Sequence, residues 1–254
     1  MIRLIFHCIT FIALNVNVYA TQDVAQPKQV EWSFDGMNGV FDRQSIQRGF
    51  KVFKEVCSAC HSVNRLAFRN FAEVGFSDQE IKALAAEYTV IDGPNDEGEM
   101  FERPAKPADQ VPGPYANEKA ARASNNGAYP PDLSLIIKAR VDGANYVYSL
   151  LTGYSAPPQG FNLGENMHYN PYFSGGGSKL AMTPPLVSDG QISYPDGTAS
   201  TIEQMSKDVV NFLQWAAEPE MEERKKIGIS VMLFLIIFTL LFYLAKKRIW
   251  KNVK

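Results

Sequence analysis

The chain has 254 residues, 46% of them hydrophobic and 20% charged, with a formal net charge of −2. That balance excludes a disordered chain, and three cysteines are too few for a disulfide scaffold. A pI near 6.0 gives no electrostatic reason to expect a nucleic-acid partner, and a mean hydropathy of −0.17 excludes a bundle of membrane spans but not a single span.

Residues 1–20 read as a secretory signal. Arg3 gives the positive start, Leu4 to Leu14 the apolar stretch, and Val18-Tyr19-Ala20 the small residues for cleavage after Ala20. Asn15 and Asn17 interrupt the run, which argues against a first transmembrane helix.

Asp42 to Val56 reads as a helix capped by Asp42, with Ile46, Phe50, Phe53 and Val56 on one face. Ser77-x-x-Glu80 is a capping box that opens a second helix with the stripe Ile81, Leu84, Ala85 and Tyr88. Residues 92–115 are acidic and rich in Pro and Gly, hence loop. A short helix is expected from Asn117 to Ser124, and two more over Asp132 to Arg140 and Ala144 to Thr152, the latter closed by Gly153. The stretch 154–199 is long and irregular, which marks a functional loop, with a short hairpin expected near 187–195. Ser200-x-x-Glu203 opens a further helix, striped by Ile202, Met205, Val209, Phe212, Leu213 and Ala216 and ended by Pro219. No segment alternates in the manner of a strand, so the fold is mainly helical and loop-rich.

Residues 227–245 carry no charge over nineteen positions. At ~1.5 Å per residue they reach roughly 29 Å, the thickness of a bilayer core. Five cations follow (Lys246, Lys247, Arg248, Lys251 and Lys254), against Arg224, Lys225 and Lys226 before it, which places the tail 246–254 in the cytoplasm. All 27 acidic residues lie in 21–226 with 19 basic ones, so the exported segment is formally −8. Such a domain suits a cationic partner, and general solubility would be served equally well.

Cys57-Ser58-Ala59-Cys60-His61 is C-x-x-C-H, the attachment signature of c-type haem. Two sulfurs three residues apart share one side of a helical turn and suit the two vinyl groups of one haem. The adjacent His61 supplies the proximal ligand. Zinc would need a second pair of ligands, and a thioredoxin-type pair would need a βαβ setting. Cys8 leaves with the signal, so both remaining cysteines are in the motif.

The sixth iron position has several candidates. Met205 belongs to a core stripe, Met37 lies too close upstream, and Met100 sits in the acidic loop. Met167, His168 and Met182 remain. The spacing favours Met182, which Thr183-Pro184-Pro185 would stiffen and which stands eighteen residues before the last exported helix. A His/Met pair raises the potential and leaves no open site, as electron transfer requires.

The chain resembles the cytochrome c1 family, the haem subunits of quinol–cytochrome c reductase (cytochrome bc1) complexes. The resemblance runs from about residue 30 to the end. It rests on Ala121-Arg122-Ala123, Asn125-Asn126-Gly127-Ala128, Pro130-Pro131-Asp132-Leu133-Ser134, Leu150-Leu151-Thr152-Gly153-Tyr154, Asn170-Pro171-Tyr172-Phe173, Met182 with its prolines, and Phe212-Leu213 to Trp215-Ala216-Ala217-Glu218-Pro219.

The resemblance implies a mainly α, cytochrome c-like haem domain with long loop insertions, plus one C-terminal transmembrane helix. It implies one covalent haem c on Cys57 and Cys60, with His61 proximal and Met182 distal. It matches Arg140 to a propionate-pairing arginine, and Asn125, Pro131 and Tyr146 to pocket-lining positions. Read without it, these are a cation at a helix C-terminus, a helix-terminal residue, a loop proline and a core aromatic. Some bacterial relatives brace the methionine loop with a disulfide; here Ser155 stands after Tyr154 and no cysteine is spare.

The implied partners are cytochrome b, a Rieske iron–sulfur protein as donor and a cytochrome c as acceptor, in a dimeric complex. The implied location is the periplasmic face of a bacterial inner membrane, because mitochondrial relatives carry longer, arginine-rich presequences. Asp92, Asp96, Glu97, Glu99 and Glu102 form the densest acidic run and are expected either to steer a basic cytochrome c or to serve only as a solvated loop. A free-standing tethered cytochrome feeding an oxidase, and a haem enzyme or gas sensor with a displaceable ligand, are the competing functions.

Overall fold

The structure is a computed structural model that describes residues 24–252. The expected signal at 1–20 and the last two residues of the basic tail lie outside the described residues.

Helix α1 spans Arg43–Glu55, and the Asp42 carboxylate caps it by accepting from Ser45 N. Helix α2, Asp78–Ala86, opens on the full Ser77/Glu80 capping box. Strands β1 (Thr89–Asp92) and β2 (Phe101–Pro104) pair antiparallel, with Thr89 opposite Pro104. Helix α3, Glu118–Ser124, is capped by Asn117, and α4 runs over Gly143–Leu151. A two-residue pair follows, β3 (His168–Tyr169) with β4 (Lys179–Leu180). Helix α5 covers Ile202–Ala217 and α6 Met221–Ile249. Among the described residues the fold is mainly helical, as expected.

The core forms where α1 crosses α5. Ile46, Phe50, Val52 and Phe53 from α1 meet Met205, Val209, Phe212 and Leu213 from α5. Aromatic rings fill the space around them: Phe50 and Phe71 lie 4.4 Å apart, Phe53 and Phe212 5.4 Å. Met205 is wholly buried here, in keeping with a packing role. This crossing holds the end of α1, and therefore Cys57, in place.

Several local expectations need correction. Residues 134–139 form a series of turns, not a helix over Asp132 to Arg140. Asp132 does not cap a helix; it accepts from Ser62 Oγ at 2.7 Å and from Asn64 N at 2.8 Å, while Leu133 N donates to Ser62 O at 2.8 Å. The segment's polar groups serve tertiary contacts instead of a helical ladder. Thr201, not Ser200, caps α5, accepting from Gln204 N at 3.1 Å.

No strand occurs at 187–195. That loop is closed by Gln191, which accepts from Val187 N and donates to Pro185 O, both at 2.9 Å. The hairpins lie elsewhere, one of them with its turn and second strand in the 92–115 segment expected to be loop. Helix α4 ends at a Thr152 cap. Gly153 serves close approach instead, since a Cβ there would stand 2.4 Å from the Tyr172 ring.

Only Glu218, Pro219 and Glu220 separate α5 from α6. The N-terminal turn of α6 is clamped to the helical domain. Glu222 Oε1 accepts from Phe41 N at 2.6 Å, and Arg43 Nη2 donates to Glu222 Oε2 at 2.7 Å. Lys225 Nζ donates to Phe34 O at 2.5 Å, and Met221 is buried in the core. Beyond that turn the apolar side chains from Ile227 to Leu244 are exposed. At ~1.5 Å per residue α6 extends roughly 43 Å, long enough to cross a bilayer.

Candidate functional site

Helix α1 stops at Val56, and Cys57–Ala59 makes one tight turn. Cys60 N and His61 N both donate to Cys57 O, at 3.1 and 2.9 Å. Both thiols and the imidazole therefore leave a single turn. Cys57 and Cys60 are free and half-buried. Burial, helped by the neighbouring Cys60, pushes the Cys57 thiol up to about 12. A disulfide oxidoreductase needs the opposite shift at its first cysteine.

His61 Nδ1 lies 2.8 Å from Pro131 O. A carbonyl only accepts, so Nδ1 carries the proton and the Nε2 lone pair is free for a metal. Burial holds the imidazole pKa below its ordinary value, which favours the neutral, ligating form. Asp132 seats Pro131 against this turn. Burial works to raise its pKa, but hydrogen bonds from Asn64, Ser134 and Ser62 outweigh it and hold the carboxyl below the usual range.

Asn125, at the C-cap of α3, donates from Nδ2 to Ala121 O at 2.7 Å and to Tyr115 Oη at 2.9 Å. Tyr115 Oη in turn points at Ala59 O, 3.4 Å away, inside the motif. Arg140 is exposed and donates to Ala139 O, and the buried Tyr146 lies beside its guanidinium. Met182 is half-buried, and its carbonyl accepts from Tyr154 Oη at 3.0 Å. His168 packs edge-on to Tyr154, with ring centroids 6.5 Å apart.

The predicted residues thus fall into three groups: Cys57, Cys60 and His61 with Pro131 and, through Tyr115, Asn125; Arg140 with Tyr146; and Met182 with Tyr154. Among the described residues no hydrogen bond joins Met182 to the motif turn. Nor do His, Cys, Asp and Glu side chains gather there in the threes or more that a zinc site would need.

Residues 32–253 match the model of the Cytochrome C1 family. The chain belongs to the cytochrome c1 family. It is 53% identical over 210 residues to "Cytochrome c1 2, heme protein, mitochondrial" of Arabidopsis thaliana, covering 83% of this chain and 67% of that protein. It is 48% identical over 242 residues to the cytochrome c1 of Rhodospirillum rubrum, covering 88% and 87%. It is 49% identical over 236 residues to the "Cytochrome b-c1 complex catalytic subunit, mitochondrial" of Candida albicans, covering 92% and 81%.

A cytochrome c1 is an electron-transfer protein, and the family implies haem c. The residues present fit that group. Two free thiols at the attachment spacing share a turn with an imidazole whose outer nitrogen is already engaged. Two residues that touch these groups, Tyr115 and Tyr154, were not among the expected site residues. Tyr115 sits in a Pro-rich loop with no periodic signal. Tyr154 was legible only as part of a motif, because its bond to Met182 spans 28 residues.

Proposed function

We propose that this chain is the haem subunit of a quinol–cytochrome c reductase (cytochrome bc1) complex. It takes one electron from a Rieske iron–sulfur protein and passes it to a cytochrome c. Cytochrome b is the other partner, in a dimeric complex, and no nucleic acid is involved. Cys57 and Cys60 would hold one haem c by two thioethers, with His61 and Met182 as axial ligands. Arg140 would pair with a propionate, and Asn125, Pro131 and Tyr146 would line the pocket. Bound there, haem would supply reversible one-electron exchange.

The chain's own residues supply orientation. The His61–Pro131 bond fixes the tautomer and the ring plane, and Tyr154 holds the backbone at Met182. The His61–Pro131 bond carries the reading, because it leaves the Nε2 lone pair free for a metal, while among the described residues His, Cys, Asp and Glu side chains form no cluster that would hold a metal elsewhere. The charge pattern supports a haem domain over 21–226 on the periplasmic side of a bacterial inner membrane. It follows a signal at 1–20, with a single span at 227–245 and a cytoplasmic tail at 246–254.

A tethered shuttle needs slack between haem domain and anchor. The three-residue junction and the Glu222 and Lys225 contacts disfavour it. Two experiments test the proposal. The ferric protein should show a near-infrared sulfur–iron band that Met182→Leu abolishes; a band that survives the substitution removes Met182 as ligand. The chain should co-purify with a cytochrome b and a Rieske protein; isolation as a lone cytochrome would favour the shuttle.

A further inference from the structure

Asp208 on α5 is wholly buried, and its carboxylate is fully engaged. Arg48 Nε donates to Oδ2 at 3.0 Å, Arg48 Nη2 to Oδ1 at 3.1 Å, and Ser45 Oγ to Oδ1 at 2.7 Å. The third guanidinium nitrogen, Nη1, reaches out of the helix pair to Asp196 Oδ2 at 2.8 Å. Arg48 also lies over the ring of Tyr194, 5.8 Å from its centroid. Asp196 and Tyr194 belong to the loop that follows Met182.

That loop is anchored at several points. Leu186, Ile192 and Tyr194 are buried, Gln191 closes on Pro185, and Asp189 Oδ1 accepts from Ile202 N at 2.8 Å. One guanidinium thus ties α1, whose end carries Cys57, to α5 and to the downstream arm of the Met182 loop. Tyr154 holds the backbone at Met182 itself.

We propose that Arg48 is a positioning residue for Met182, forking between Asp208 and Asp196 so that the loop keeps the thioether in place. The proposal rests on Met182 being the axial ligand. A lysine can pair with Asp208, but one ammonium cannot fork to both carboxylates. Asp196 is partly exposed, with 40% of its side chain accessible, so removing it breaks the loop arm and leaves the buried pair intact.

The test is imidazole binding to the full-length ferric holoprotein in detergent. Imidazole enters only where the thioether has left, so its apparent Kd reports the fraction of loosened loop. Asp196→Ala and Arg48→Lys should each lower that Kd about threefold, the effect of losing one partly exposed ion pair. The double variant should lower it no further, because both remove the same link. In a Met182→Leu background Asp196→Ala should change nothing. The far-UV thermal midpoint of Asp196→Ala should match that of the wild type.

Wild-type Kd values in both single variants would overturn the proposal. So would a Kd change that only tracks a fall in the thermal midpoint. A wild-type protein without the sulfur–iron band would overturn the Met182 reading and the positioning role together. A band present with unchanged imidazole binding would overturn the positioning role alone.

Discussion

Gly49 of α1 packs directly on the backbone of Asp208 in α5: a Cβ at Gly49 would stand 2.0 Å from the Asp208 carbonyl oxygen and 2.9 Å from Phe212 Cβ. The two helices approach this closely because one of them presents only hydrogen at the crossing. The contact sets the distance between α1 and α5, and the same Asp208 carries the carboxylate that Arg48 grips. Backbone packing and the buried ion pair therefore meet at one residue.

Gly49→Ala should force the helices apart. Overpacking of a tight crossing costs about 1–3 kcal/mol. The expected outcome is a lower thermal midpoint and reduced yield of haem-loaded protein, read by far-UV circular dichroism and a haem stain on a denaturing gel. An unchanged midpoint would mean that the crossing relaxes without loss.

Tyr154→Phe removes the hydroxyl that donates to Met182 O. The loss is one partly buried hydrogen bond, about 1 kcal/mol. The sulfur–iron band should bleach at a lower temperature than in the wild type, while the main unfolding transition moves little. Bleaching that stays locked to global unfolding would show that Tyr154 does not restrain the ligand loop.

The acidic run over 92–102 is not uniformly available for steering. Arg103 pairs with Asp92, and also with Asp109 at 2.6 Å, where its hydrogen bonds lead in holding Asp109 down to about 2. The expected steering charges are Asp96, Glu97, Glu99 and Glu102. Neutralising Asp96, Glu97 and Glu99 should slow second-order reduction of a basic cytochrome c and flatten its dependence on ionic strength. A rate insensitive to salt in both proteins would leave the run a solvated hairpin.

The clamp on α6 should weaken in acid. The Arg43 hydrogen bond leads in holding the Glu222 carboxyl below its usual range; partial burial opposes it and the Phe41 amide adds to it. A depressed carboxyl stabilises the fold fully above the ordinary value of 4.5, and the contribution is lost as pH falls through the lowered one. A spin label beside Met221 should gain mobility across that acidic window. Glu222→Gln should show part of the gain already at neutral pH, with a loss of about 1 kcal/mol or less for so exposed a pair. Equal mobility in both proteins at every pH would exclude the clamp.

The sequence by itself determined whatever depends on near neighbours in the chain. The C-x-x-C-H spacing sets the attachment turn, Asp42 and the Ser77/Glu80 box start their helices, and nineteen uncharged positions make a membrane-length helix. Those features rest on spacings of one to four residues or on a continuous run, so periodicity exposes them. Only the tertiary structure decided the rest. Residues 134–139 turn instead of coiling because Asp132 is drawn to Ser62 and Asn64, 70 and 68 residues away. The Pro131 carbonyl fixes the tautomer of His61 across 70 residues, and Arg48 reaches Asp208 across 160. Buried polar groups must find partners wherever the fold brings them, and separations of that length leave no periodic trace along the chain.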